Sequence, residues 1–157
     1  GEPRAVQHKN LVIGLKRCVQ VLQASGIVLM IEPLNTLVDH QGYYLTRSEE
    51  AFEIIDEVGS PNVKVIFDIY HQQIMEGNLI NNISANMNKI AHFHAAGHPG
   101  RHELDTGEIN YKAVFKAIEE AGYEGYVGLE YFPVDDPSVG LGKFSDLTKT
   151  KDSEVNP

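Results

Sequence analysis

The sequence has little that would let it bind nucleic acid, cross a membrane or form disulfides. Its 157 residues include only 13 Lys and Arg against 22 Asp and Glu, which gives a formal net charge of −9. Proteins that grip nucleic acid normally present a basic face to the phosphates, and anionic membrane surfaces attract polybasic segments. No apolar run reaches 18 residues, so no transmembrane helix is predicted. We therefore expect neither a nucleic acid nor a membrane as a partner.

Cysteine is nearly absent as well. Cys18 is the single one, which excludes an intramolecular disulfide and a thiolate zinc cluster. We expect Cys18 on the apolar side of the first helix, as a buried and reduced thiol. The first 20 residues lack the charged-then-apolar order of a secretion signal. Together these features favour an acidic, cytoplasmic protein with a small-molecule or metal-centred function.

What the sequence does contain is an alternation of helix and strand patterns. Hydrophobic residues make up 42% and charged residues 22%, which is typical of a globular domain. We predict one domain over 1–150 and a flexible tail over 151–157. Helices are predicted over 5–24, 79–88, 111–121 and roughly 138–148, and Asn110 caps the third of these. A further helix is predicted to follow a capping box at 46–49 and to end near residue 58. The predicted strands are IVLMIEP, VKVIFDI, KIAHFHAA and YVGLEYF.

Apolar strands separated by helices predict a parallel sheet with right-handed crossovers. The first strand, IVLMIEP, has the continuous apolar pattern of a strand buried on both faces. An open doubly wound sheet and part of a (β/α)8 TIM barrel both use such units. The open sheet usually carries a Gly-rich phosphate loop after its first strand, and IEPLNT is not one. The pattern therefore favours an α/β fold that is part of a barrel, with about four parallel strands each followed by a helix.

Each predicted strand ends in a residue that can bind a metal ion. If the strands lie side by side in a barrel, these ends converge at its C-terminal mouth. Singly, such residues are more often solvated rim groups, helix caps or hydrogen-bonded core histidines, but four successive strands favour a shared site. Three carboxylates would repel one another unless a divalent cation joined them. Oxygen ligands with one imidazole suit Mn²⁺ or Mg²⁺, with Co²⁺ or Zn²⁺ as alternatives. The candidate ligands are Glu32, Asp68, His94 and Glu130.

Further candidates lie near these strand ends. His71, three positions past the aspartate, is placed to donate a hydrogen bond to a substrate oxygen; the alternative is a capping or supporting role. Arg101, in the loop HPGRHE, is suited to hold a carboxylate or hydroxyl; the alternative is a surface charge. His102 and Glu103 are weaker candidates that we expect to order the loop. His92 is expected one layer below the metal site.

Four segments carry a resemblance to a known family over about residues 4–147. IEPLN, FDIYHQQIMEGNL, AHFHAAGHPGRHELDTGEINY and GLEYFP resemble the C-terminal half of the xylose-isomerase-like barrel superfamily. The last two are most similar to hydroxypyruvate isomerases and relatives acting on 2-oxo-tetronates. The resemblance implies strands five to eight of a (β/α)8 barrel with one divalent metal ion at its mouth.

The resemblance also implies roles for individual residues. Hydroxypyruvate isomerases often have Gln at the position of His94, whereas the related ketose 3-epimerases have His, so the substrate stays open. By resemblance, the metal ligands are Glu32, Asp68, His94 and Glu130, the paired acid/base residues are Glu32 and Glu130, and the substrate contacts are His71 and Arg101.

The expected function is that of a metal-dependent isomerase of short hydroxy-keto acids or ketoses, acting through an enediolate. Three alternatives remain. The first alternative is a ketose 3-epimerase. The second is a non-catalytic or incomplete half-barrel that needs a second chain, which would be another copy or a missing N-terminal half. The third alternative, an apurinic-site endonuclease of the same superfamily, needs more histidines and a basic DNA-binding face, which the net charge of −9 disfavours.

Overall fold

The computed structural model describes residues 1–134 and 136–148, so the predicted tail over 151–157 lies outside the described residues. None of the helices in the described part of the chain is long and apolar enough to cross a membrane. The helices are α1 (Arg4–Ser25), α2 (Ser48–Val58), α3 (Ile69–Met75), α4 (Leu79–Asn86, followed by a 3₁₀ turn over Met87–Lys89), α5 (Tyr111–Glu120) and α6 (Pro137–Thr148). The strands are β1 (Leu29–Ile31), β2 (Val63–Asp68), β3 (Ile90–Ala95) and β4 (Val127–Leu129).

The four strands form one parallel sheet in the order β1-β2-β3-β4. Each strand is followed by at least one helix, so the chain winds in one direction around the sheet. The register pairs Asp68 with His94 across β2 and β3, and His94 with Gly128 across β3 and β4. The predicted architecture of four parallel strands alternating with helices is confirmed.

The two faces of the sheet differ in burial. The face toward the helices is the core, where Val63, Val65 and Phe67 of β2 are fully buried. The opposite face would line the interior of a closed barrel, and there Val28 and Met30 are 42% and 39% exposed. The prediction that the first strand is buried on both faces is therefore wrong. Helices cover one face, whereas four strands cannot close over the other.

The ends of two helices illustrate local and tertiary capping. The predicted cap of α5 is confirmed, since the Asn110 side chain accepts a hydrogen bond from the backbone N–H of Ala113. The predicted capping box before α2 is wrong, because that helix begins at Ser48. The backbone N–H of Ser48 instead donates to the side-chain oxygens of Gln72 and Glu76, both at 3.1 Å. The orphan N–H groups of a helix need acceptors, and here the acceptors come from α3 and its C-cap.

Helix α1 buries a narrower stripe than its sequence pattern predicts. Val12, Leu15 and Leu22 are buried, whereas Cys18 is exposed and its thiol donates to the carbonyl of Gly14 in the same helix. The prediction of a buried thiol is wrong: at about 100° per residue, Cys18 lies on the opposite side of Leu15 from the buried Val12, at the edge of the buried stripe.

Candidate metal centre

The carboxyl ends of the four strands bring the predicted ligands together. Asp68 ends β2, His94 lies in β3, and Glu32 and Glu130 directly follow β1 and β4. Each offers one ligand atom, and these four atoms lie within 4.8 Å of one another. Opposite ligands on a divalent cation lie about 4–5 Å apart, since each oxygen bond is about 2.0–2.6 Å long. The set therefore has the size and the donor chemistry to hold a single ion.

Asp68 is positioned by the start of α3. One of its carboxyl oxygens, Oδ1, caps that helix by accepting the backbone N–H groups of Tyr70 at 2.8 Å and His71 at 3.2 Å. The other oxygen, Oδ2, is left facing the cluster. Burial raises the pKa of Asp68 to about 6, and the charge of Glu32 adds to this rise.

His94 lies between the two glutamates. Its Nδ1 atom is 3.1 Å from Oε1 of Glu32 and 3.3 Å from Oε2 of Glu130. The hydrogen bond to Glu32 raises the pKa of His94 above its ordinary value. A divalent cation bound here would neutralise the negative charge of the carboxylates that surround His94. Three carboxylates and one imidazole suit the hard ions Mn²⁺ and Mg²⁺, and also Co²⁺ and Zn²⁺.

Arg101 lies next to two of the four candidate ligands, Asp68 and Glu130. Its guanidinium lies 2.8 Å from Oε2 of Glu130 and 3.7 Å from Oδ2 of Asp68, and it stacks 5.0 Å above the ring of Tyr70. The residue has a φ of 57°, a left-handed conformation that is uncommon outside glycine. The loop after β3 thus turns Arg101 back over the strand ends and places a fixed positive charge at the mouth.

His71 is buried beneath the same cluster. Its Nε2 atom is 3.6 Å from Oδ2 of Asp68, and its Nδ1 atom contacts Asn35 in the loop after β1. Burial lowers the pKa of His71 to about 4, and the charge of Arg101 acts in the same direction. The imidazole is therefore neutral at physiological pH and is able to donate one hydrogen bond.

The weaker candidates order the loop, as expected. His102 contacts the carbonyl of Phe132 at 2.8 Å, and Glu103 accepts the backbone N–H of Val134 at 2.9 Å. His92 lies below the metal site with its ring 5.0 Å from that of His94. These side chains support the mouth without contributing a ligand to the cluster.

Sequence reasoning missed three polar residues behind the site. Asn35, Asp39 and Tyr70 are joined by side-chain hydrogen bonds of 2.9 Å, and Asn35 is fully buried. A buried asparagine is unusual enough to need partners. The sequence places Asn35 three residues after Glu32, in IEPLN, and this proximity to a predicted ligand is the signal that could have indicated a role for Asn35. The sequence pattern does not indicate which side chains Asn35 contacts.

Comparison with known proteins agrees with this geometry. Residues 1–147 match the family described as xylose isomerase-like TIM barrel. Hydroxypyruvate isomerase of Escherichia coli strain K12 is 43% identical over 134 residues, which cover 85% of this chain and 52% of the relative. 2-Oxo-tetronate isomerase of Cupriavidus necator is 44% identical over 119 residues, which cover 76% of this chain and 45% of the relative. The chain thus spans about half the length of the curated relatives it matches.

A solved structure shares the arrangement of elements. The crystal structure of an AP endonuclease, family 2, from Brucella melitensis superposes with a TM-score of 0.88 at 36% identity, covering 93% of this chain and 56% of that one. The family is supported by the strand order, by the converging strand ends and by the match over residues 1–147. This chain belongs to the xylose isomerase-like TIM barrel family.

Proposed function

We propose that this chain carries the metal centre of an isomerase that acts on short hydroxy-keto acids such as hydroxypyruvate or a 2-oxo-tetronate. The observation that carries the proposal is the cluster at the strand ends, in which two glutamates flank His94 and all ligand atoms lie within 4.8 Å. The names of the relatives, hydroxypyruvate isomerase and 2-oxo-tetronate isomerase, supply the substrate class.

The proposed ligands are Glu32, Asp68, His94 and Glu130, and Mn²⁺ or Mg²⁺ suits them best. When bound, the cation supplies Lewis-acid polarisation of a substrate carbonyl and the neighbouring hydroxyl. The chain itself holds the ligands in place through the cap on α3 and the β2–β3–β4 register.

The two glutamates are the proposed acid and base. Glu32 and Glu130 follow the two outer strands of the sheet and both approach Nδ1 of His94, so each carboxylate borders the space where a substrate would meet the cluster. One removes the proton from the carbon next to the carbonyl, which leaves an enediolate, and the same glutamate or its partner returns a proton to the adjacent carbon. The hydroxyl oxygen loses its proton as it becomes the new carbonyl, and the former carbonyl oxygen gains a proton as it becomes the hydroxyl, so no atom or electron is gained or lost overall.

The proposed substrate contacts are His71 and Arg101. The neutral imidazole of His71 directs Nε2 toward the cluster, where it can donate to the oxygen that alternates between alcohol and carbonyl. The guanidinium of Arg101 faces the same space and can pair with a substrate carboxylate.

The test is a substrate panel of hydroxypyruvate, 2-oxo-tetronates and ketoses. Bound metal is first removed from the chain with a chelator, and Mn²⁺, Mg²⁺ or Co²⁺ is then added in D₂O. Each assay is run on the chain alone and on the chain mixed with the N-terminal half of the Escherichia coli relative. We expect isomerisation that depends on the added metal, with solvent deuterium at the product carbon. Deuterium returned to the original carbon with inverted configuration would identify a 3-epimerase instead.

Matched variants separate chemistry from folding. Glu130→Gln keeps the shape and removes the carboxylate, and we expect at least a hundredfold loss of rate. Glu124→Gln, at an exposed position away from the mouth, is the control and should leave the rate unchanged. Isomerisation by Glu130→Gln within tenfold of the parent chain would rule out the acid/base role. Tight metal uptake without turnover in either preparation would favour a non-catalytic metal-binding half-barrel.

A second proposal concerns the partner, and the exposed inner face of the sheet favours it. Val28, Met30 and Tyr126 are exposed on the side where a barrel interior would be, and β1 and β4 each have one neighbouring strand in the described residues. A TIM barrel needs eight strands, and unpaired edges invite further pairing. We propose that another four-stranded segment completes the barrel.

A complementary half fits this face better than a second copy. Two copies would place two clusters of three carboxylates on one axis and join two chains that each carry a net charge of −9. Light scattering at micromolar concentration, with and without the N-terminal half of the relative, tests this. We expect a one-to-one complex; a stable monomer that ignores the added half would contradict it, and a homodimer would favour the second copy.

A further inference from the structure

The environment of His71 fixes which ring nitrogen carries its proton. Nδ1 of His71 faces two donors of Asn35, the backbone N–H at 3.2 Å and the side-chain Nδ2 at 2.7 Å. A nitrogen that meets two donors must present its lone pair to them. In a neutral imidazole the proton then resides on the other nitrogen, Nε2.

The orientation of the Asn35 amide is itself determined. Its Oδ1 atom accepts the backbone N–H groups of Val38 and Asp39, each at 3.0 Å. Since backbone N–H groups only donate, this end of the amide must be the oxygen, and the end toward His71 must be the NH₂. That NH₂ also donates to Oδ2 of Asp39 at 2.9 Å. A flipped amide would turn its NH₂ toward the two backbone N–H groups and its oxygen toward the Asp39 carboxylate, which breaks these three hydrogen bonds.

Asp39 connects the asparagine to the second proposed substrate contact. Its Oδ2 also accepts the hydroxyl of Tyr70 at 2.9 Å, and the ring of Tyr70 lies 5.0 Å below the guanidinium of Arg101. These hydrogen bonds hold the pKa of Asp39 below its usual range although burial acts to raise it. The carboxylate therefore stays an acceptor for both neighbours.

We propose that Asn35 is a positioning residue, which holds His71 in the tautomer protonated at Nε2 and aims that N–H at the metal centre. Nε2 lies 3.6 Å from Oδ2 of Asp68, so its proton points to where a substrate oxygen would sit next to the ligands. The role toward substrate rests on the proposed function, whereas the tautomer is a property of the chain alone. Asn35 would act through His71 and touch neither ligand nor substrate.

The test is imidazole ¹⁵N NMR of the labelled chain without added ligand. The chain has seven histidines, and the His71 signals are identified by their loss in His71→Gln. We expect an unprotonated Nδ1 and a protonated Nε2 for His71. In Asn35→Asp a carboxylate replaces the NH₂ donor, and we expect Nδ1 to acquire a proton. In Asn35→Ala one of two donors is lost, and we expect a shifted Nδ1 resonance.

Asp39→Asn is the matched control, because it removes the charge but keeps an oxygen that accepts from both neighbours. We expect its His71 tautomer to be that of the parent chain. A protonated Nδ1 in the parent chain overturns the inference whether or not any variant folds, and so does an Nδ1 resonance that is the same in Asn35→Ala as in the parent.

Two further measurements keep this inference distinct from the proposed function. In the part of the chain that the structure describes, Asn35 makes no hydrogen bond to any of the four ligands, so Mn²⁺ affinity should be equal in Asn35→Ala, which adds no charge, and the parent chain. Where the completed barrel is active, Asn35→Asp should lower kcat about tenfold or more and change KM less, as loss of an orienting partner does. The expected tautomer together with a completed barrel that lacks isomerase activity would refute the proposed function and leave this inference standing.

Discussion

Gly128 shows how closely the metal site is packed at the scale of one residue. A Cβ atom at this position would lie 3.0 Å from Nε2 of His92 and 3.0 Å from Cδ2 of His94. These separations are shorter than ordinary van der Waals contact, so the rings would have to move. The absence of a side chain at Gly128 is what leaves room for the imidazoles of His92 and His94.

Gly128→Ala should therefore weaken metal binding. We expect about a tenfold or greater loss of Mn²⁺ affinity by calorimetry, because His94 would be pushed from its position between the glutamates. Gly14→Ala in α1 is the control: nothing lies within 4 Å of its added Cβ, so affinity should not change. Equal affinity for Gly128→Ala and the parent chain would mean that His94 is not a ligand.

At the scale of elements, the cap of α5 offers a local test. The N–H of Ala113, in the first turn of the helix, donates to the side-chain Oδ1 of Asn110 at 3.2 Å and also to the backbone carbonyl of Asn110 at 3.1 Å. Asn110→Ala should lower the free energy of unfolding by about 1 kcal/mol, measured by urea denaturation. Asn110→Ser keeps an acceptor and should lose only part of this. A Ser variant as unstable as the Ala variant would count against the capping role.

The contact between α1 and α2 is expected to depend on pH. His8 of α1 lies 2.8 Å from Glu57 and 3.4 Å from Glu50, both in α2, and the hydrogen bond to Glu57 is the main reason that the pKa of His8 is raised. The unfolded value is about 6.5. Because protonation is favoured in the folded chain, the stabilisation is complete below that pH and is lost as pH rises through the raised pKa.

Chemical denaturation of the parent chain and His8→Gln across pH 5 to 9 measures this effect. We expect the parent to be more stable at the acidic end and the difference to shrink toward the alkaline end. Glu57→Gln removes the main cause and should move the transition to lower pH. A difference that stays constant across the range would show that His8 contributes by packing alone.

At the scale of the whole molecule, metal binding should stabilise the fold. The four ligands lie at or directly after the ends of four different strands, so an ion that joins them links all four strands of the sheet. A ligand at a hundred times its Kd stabilises the folded state by about 2.7 kcal/mol. We expect Mn²⁺ to raise the melting temperature of the chelated chain and a chelator to reverse this.

Asp68→Asn is the informative variant for that measurement, and Glu124→Gln is its control. The amide keeps the cap on α3 through its oxygen but removes a buried charge from the cluster. We expect the Mn²⁺-induced rise in melting temperature to be lost in Asp68→Asn and kept in Glu124→Gln. Equal rises in all three chains would place the ion elsewhere.

The sequence by itself determined the elements and the set of candidate ligands. Apolar runs and helix periodicity depend on neighbours along the chain, and the parallel topology places the strand ends on one edge. That is why Glu32, Asp68, His94 and Glu130 could be proposed together from four separate segments.

Only the tertiary structure decided the contacts between distant segments. Asn35 meets His71 across 36 positions, and Ser48 at the start of α2 takes its acceptor from Gln72 rather than from its own segment. Cys18 is exposed for a similar reason, since the width of a buried stripe depends on what packs against it. Side-chain hydrogen bonds and burial are set by the relative placement of elements, which local pattern does not encode. The exposed inner face of β1 follows in the same way, because burial there requires strands that these four do not supply.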